Sequence, residues 1–232
     1  MGESSETIEL RESGKAKSTT EEEFDTQMNI NREESLITQT SQSEEKTETH
    51  LSNSAIVPPV NDLEGNKKDS QPKKQLELSG LRKQLVDFGF EKSARKAQDI
   101  DTIVLHSSFN NQGGDQYSVE KVISIWKSYG VAPHFLIDRK GRIYQLVDEE
   151  NIAYHAGVSE MKDGRKNVND FSLGVEILNA EDDTYTDAQY GAVKSLVVYL
   201  KETYPIKYVV GHDDIAPGRK TDPWNFDWKR IR

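Results

Sequence analysis

The chain has no cysteine among its 232 residues. Disulfides and thiolate metal sites are therefore excluded, and any metal must be held by histidine and carboxylate. It also lacks an apolar run of about 18 residues, so no segment reads as a transmembrane helix. No signal-peptide-like apolar segment lies within roughly the first 30 residues. Basic density is missing as well. The chain carries 40 acidic against 30 basic residues, net −10. Lys73–Lys74 and Arg82–Lys83 are too sparse to follow a phosphate backbone, which argues against nucleic acid as a partner.

Apolar residues are scarce too, at 34%. The shortage is concentrated at the N-terminus. Residues 1–75 hold 16 acidic and 9 basic residues but only 15 aliphatic, Met or Phe side chains. Such a segment cannot bury enough apolar surface to offset its ordering entropy. Residues 1–75 are therefore expected to be a disordered, acidic, low-complexity tail or tether. Residues 76–99 follow, with Leu78, Leu81, Leu85, Phe88 and Phe90 spaced as in a short helical docking segment.

From residue 100 to 232 the patterning predicts an α/β domain. Its expected architecture is a single mixed central β-sheet flanked by helices. Ile103–Leu105 reads as a buried strand running into His106. Ser118 is a candidate N-cap for a helix carrying Val122, Trp126 and Tyr129, stopped by Gly130. His134–Ile137, the turn at Asp138–Gly141 and Arg142–Val147 read as a hairpin. Ser172–Leu178 reads as a buried strand. Thr186 and Gln189 have capping-box spacing before a helix that Pro205 closes. Ile206–Val210 is a further strand, leading into Gly211 and His212.

Two histidines thus follow apolar strands, His106 and His212. In an open α/β sheet, strand ends are where sites form. Asp222 lies ten residues beyond His212, across a loop containing Pro217 and Gly218 that could fold back. Two histidines, one carboxylate and an open position make a catalytic zinc arrangement. On spacing alone, core histidines with satisfied hydrogen bonds remain the competing explanation.

Six segments, in order, carry a resemblance: IDTIVLHSS, VAPHFLIDRKGRIYQLV, AYHAG, NDFSLGVEILN, YTDAQYGAVKSLV and VVGHDDIAPGRKTDP. Together they resemble the zinc-dependent N-acetylmuramoyl-L-alanine amidase family, the type 2 amidases that include the fold of peptidoglycan-recognition proteins. The resemblance implies hydrolysis of the amide between N-acetylmuramic acid and L-alanine, in peptidoglycan or muropeptides. It implies His106, His212 and Asp222 as zinc ligands, Glu176 as general base and Lys220 as the cation beside the developing oxyanion. Chemistry agrees with Glu176: a strand as apolar as LGVEIL seldom carries an unpaired carboxylate without a reason.

His134, His155 and Trp224 are candidates for binding substrate. For the two histidines, a purely structural hydrogen-bonding role stands equally open. Two departures from the family pattern matter. Pro133 stands where phage relatives have tyrosine before the hairpin histidine, which favours Glu176 as the base. Trp224 stands where the family often has glycine, placing an aromatic ring near the site. The polar segment 158–170 is expected to lie over the cleft and select the stem peptide. A non-catalytic peptidoglycan-binding module of the same fold is the alternative function. A monomer at the cell envelope or outside the cell is expected, with the cytoplasm as the alternative location.

Overall fold

A computed structural model of the chain describes Leu78 and residues 80–232. The expected tail, residues 1–75, lies outside the described residues. The remainder folds around one six-stranded mixed sheet, as the strand and helix alternation predicts.

The strands are β1 (Leu81–Lys83), β2 (Phe90–Glu91), β3 (Thr102–Ser108), β4 (Phe135–Ile137), β5 (Ile143–Gln145), β6 (Ile152–Ala153), β7 (Ser172–Leu178) and β8 (Tyr208–Gly211). The main sheet runs β1-β5-β4-β7-β3-β8, and β2 with β6 forms a separate antiparallel ribbon. Only the β4–β5 hairpin is antiparallel within the main sheet; its other neighbours are parallel. Asp138 fixes the hairpin turn, its Oδ1 accepting from the amides of Lys140 and Arg142 at 2.9 Å each.

Helix α1 (Val119–Tyr129) starts where Ser118 accepts from the Lys121 amide and ends at a left-handed Gly130. Helix α2 (Asp187–Thr203) opens on the capping box of Thr186 and Gln189, a cap of about 1 kcal/mol. It stops because Tyr204, the residue before Pro205, is extended. The two helices cover opposite faces. α2 packs Val193, Leu196 and Leu200 onto Ile103, Leu105, Leu173, Val175 and Ile177. α1 packs Val122 and Trp126 onto Leu136, Tyr144 and Leu178 on the other face. Strand alternation thereby puts His106 and Glu176 on the face away from α2.

Among the described residues of 76–99, the expected α-helix does not form. The segment supplies β1, β2 and a 3-10 turn at Ala97–Asp99. β1 pairs with β5, and the amides of Gln84 and Val86 continue onto the carbonyls of Gln145 and Leu146 at 2.9 Å each. Unpaired edge groups of the sheet outcompete a short helix that would satisfy only its own backbone. The segment does dock: Arg95 donates to the carbonyls of Asn169, Ser172 and Glu149 at 3.0, 3.0 and 2.7 Å.

Candidate metal centre

β8 lies directly beside β3 in parallel register, Leu105 against Gly211. The next residue on each side is His106 and His212. His212 opens a short helical turn, α3 (His212–Ile215). Gly211 admits the returning chain: a Cβ there would sit 2.2 Å from Asp213 Oδ1 and 2.9 Å from Pro223 Cδ. The Asp213 amide donates to the Asp222 carbonyl at 2.9 Å, which pins the loop back on the strand. Asp222 then accepts from the Ser107 amide at 3.3 Å.

The three side chains converge. Nδ1 of His106 lies 2.9 Å from Nδ1 of His212. Asp222 Oδ2 is 3.5 Å from the first and Oδ1 is 3.3 Å from the second. All three are buried, with potential ligand atoms within 4.8 Å of one another. The donor chemistry fits a divalent cation. His212 Nε2 lies 3.1 Å from the Ala156 carbonyl, a group that can only accept, so Nε2 carries the hydrogen and Nδ1 offers a lone pair. Burial, and then the charge of His212, lower the His106 pKa to about 4, which favours the neutral ligand form. Burial opposes ionisation of Asp222, yet the two imidazoles hold its carboxyl well below the usual range.

Glu176 sits beside this cluster. It is the register partner of His106, and Ser108 Oγ donates to its Oε2 at 2.9 Å. Burial, then the Asp222 charge, push its carboxyl up to about 8, while Lys220 pulls it down. Lys220 is half-buried and close enough to act on the charges of both Glu176 and His106.

His134 does not line a cleft. It is fully enclosed, its Nδ1 accepts from the Gly174 amide at 3.1 Å, and its Nε2 meets the Asn151 carbonyl at 3.2 Å. Nδ1 thus faces backbone, while Nε2 faces both the Asn151 carbonyl and Arg95 Nη2, the latter at 3.0 Å. His155 is half-buried and also committed: Nδ1 lies 3.0 Å from His106 Nε2, and Nε2 lies 3.2 Å from Ser172 Oγ. Trp224 is half-buried two residues past Asp222, edge-on to Phe109 at 6.1 Å. Segment 158–170 is anchored rather than loose, since Met161 and Val168 are buried against Val104, Ala156 and Ile215.

A family described as N-acetylmuramoyl-L-alanine amidase matches residues 96–225. The chain belongs to this amidase family. It is 47% identical over 105 residues to 1,6-anhydro-N-acetylmuramyl-L-alanine amidase AmpD of Escherichia coli K12, covering 44% of this chain and 57% of that protein. It is 35% identical over 120 residues to the amidase AmiD of the same organism, covering 44% and 43%. The chain thus spans about half the length of the curated relatives it matches. Among solved structures, a selenomethionine AmpD derivative superposes with a TM-score of 0.56 at 31% identity, covering 67% of this chain and 94% of that one. An AmiD complex with anhydro-N-acetylmuramic acid-L-Ala-D-γ-Glu-L-Lys gives 0.51 at 28% identity, covering 61% and 59%.

The family's motifs pointed to the three candidate ligands and Glu176, but not to the groups that hold them. Ser108 steadies Glu176. Asn169 Oδ1 accepts from the amides of His155 and Ala156 at 3.2 and 2.9 Å. Arg219 donates to the Ala156 carbonyl at 2.8 Å, the same oxygen that His212 uses. Only Ser108 left a signal, being two residues from His106 on one strand and therefore on its face.

Proposed function

We propose that this domain is a zinc-dependent N-acetylmuramoyl-L-alanine amidase, acting on peptidoglycan or its muropeptide fragments. The observation that carries the proposal is the pairing of a lone carboxylate, Glu176, with His106 beside a buried His-His-Asp cluster. Amide hydrolysis needs a base beside the metal, a role that this carboxylate is placed to fill.

In this proposal His106 Nδ1, His212 Nδ1 and the Asp222 carboxylate hold the zinc, three protein ligands being the usual catalytic set. When bound, zinc supplies Lewis acidity, making water a better nucleophile and polarising the amide carbonyl. Ser108 occupies Oε2 of Glu176, which leaves Oε1 to take a proton from the attacking water. As the C–N bond breaks, the same oxygen returns that proton to the departing L-alanine amine. The Lys220 ammonium offsets the negative charge that develops on the carbonyl oxygen. Trp224 and Phe109 offer an aromatic surface on which a sugar ring can rest.

The anhydro sugar in the names of the AmpD relatives and in the AmiD complex supports a soluble anhydro-muropeptide as the first substrate to try. Purified protein would be incubated with anhydro-muropeptide and with polymeric peptidoglycan, with and without a zinc chelator, and the products read by mass spectrometry. Stem peptides beginning at L-alanine, lost on chelation and restored by zinc, are expected. Zinc-loaded protein that binds either substrate but releases no peptide would replace the enzyme by a recognition module.

A further inference from the structure

Four histidines form one contiguous array. His134 packs on His155 at 5.7 Å between ring centroids, His155 on His106 at 5.1 Å, and His106 on His212 at 4.4 Å. The proposed function uses only the last two. His155 is left, with both its ring nitrogens committed and its ring pressed onto β7. A Cβ on Gly174 would lie 2.4 Å from His155 Cγ and 2.6 Å from Cδ2, so the strand is bare at that residue where the ring rests. The Asn169 carboxamide oxygen holds the backbone of His155 from the other side. His155 is thus a built-in component, and its outer neighbour Ser172 is fully buried.

We propose that His155 and Ser172 form a reversible hydrogen-bond relay behind His106, which keeps that ring oriented both with a hydrogen on Nδ1 and with Nδ1 bare toward a metal ion. The inference rests on the metal reading of His106, His212 and Asp222 given above. His155 is a positioning residue in it, since it acts through His106.

The hydrogen placements follow from the partners. His212 must keep its hydrogen on Nε2, facing the Ala156 carbonyl, so its Nδ1 can only accept. Without metal, His106 Nδ1–H donates to His212 Nδ1 across 2.9 Å. His106 Nε2 then accepts from His155 Nδ1–H, and His155 Nε2 accepts from the Ser172 hydroxyl. With metal, His106 Nδ1 must be bare. Its hydrogen then sits on Nε2 and is donated to His155 Nδ1. His155 in turn carries its hydrogen on Nε2 and donates to Ser172 Oγ. Each ring has one hydrogen in both states, and the one lost to water at each Nδ1 is matched by one gained at Nε2. No ring nitrogen loses its partner, because imidazole and hydroxyl can each donate or accept. An ionised carboxylate at residue 155 could only accept, and an amide would have to flip its whole side chain to change roles. Partners of this kind fix ligand orientation and tautomer in metal sites generally.

The test combines zinc affinity, by chelator competition, with 15N NMR of the histidine rings in metal-free and zinc-loaded protein. In the parent, His106 and His155 should both move their hydrogen from Nδ1 to Nε2 on loading. His155→Phe keeps a ring on Gly174 but has no nitrogen, and should weaken zinc binding by about 10–100-fold. It should also leave His106 as a mixture of tautomers. His155→Asn should recover part of the affinity, because its side-chain oxygen can accept from His106 Nε2. Ser172→Ala should lose less than His155→Phe. Folded His155→Phe protein that binds zinc as tightly as the parent would overturn the relay. Should that variant fail to fold, the parent decides: a His155 hydrogen that stays on one nitrogen through loading overturns it equally. These readouts are independent of hydrolysis, so the relay can fail in a protein that still cleaves muropeptides, and stand in one that does not.

Discussion

Glu176 lies directly across from His106 in the parallel pairing of β7 and β3, on the sheet face that α2 leaves uncovered. A carboxylate and a candidate metal-ligating imidazole on adjacent strands share one face because both occupy the same register position. Glu176→Gln preserves shape and the Ser108 contact but cannot take a proton. Hydrolysis should fall by about 10²–10⁴-fold while zinc content stays at the parent level. A variant that cleaves at the parent rate would remove Glu176 from the mechanism.

Removal of a ligand should do the reverse. His106→Ala, His212→Ala and Asp222→Ala should each weaken zinc binding by more than the ~10–100-fold typical of a lost outer partner. Metal analysis after dialysis against a mild chelator is the check. Retention of stoichiometric zinc by any of the three would exclude that residue as a ligand.

His134 predicts a pH dependence. Burial, and then the Arg95 charge, lower its pKa to about 3 from an ordinary 6.5. Between those values the unfolded chain binds more protons than the folded one, so stability falls as pH drops through the window. Its contribution is fully present above about 6.5 and is lost on approach to 3. His134→Gln should be less stable at neutral pH, yet should lose stability less steeply on acidification. Denaturant titrations at stepped pH values decide this. Parallel curves for parent and variant would mean that His134 protonates alike in both states.

Gly174→Ala tests the packing beneath the site. The added methyl would overlap the His155 ring, and overpacking of this kind costs about 1–3 kcal/mol. The shift should appear in the urea midpoint at unchanged slope. A neutral outcome would show that the ring moves aside freely, against its being held by Ser172 and Asn169.

Much of the scaffold was legible locally. The strand at 172–178, the cap at Ser118, the box at Thr186 and Gln189 and the stop before Pro205 all depend on neighbours within a few residues, so they leave a sequence signal. The segment at 76–99 did not, because β1 is extended only through its hydrogen bonds to β5, some sixty residues away. The same limit applied to His134 and His155. Nothing near them in sequence tells that Gly174, Asn151 and Ser172 would take up their nitrogens.

The sequence by itself determined the absence of thiol chemistry, the family and the short list of candidate ligands, since residue types and their order carry those. Only the tertiary structure decided which histidines join Asp222 in the candidate metal cluster and which are taken up by other partners. That choice depends on strand register: β8 beside β3 brings His212 to His106, and β7 on the other side brings Glu176 and seats His155 on Gly174. Register is set by contacts between residues far apart in the chain, and a side chain's chemistry is fixed by the partner that register gives it.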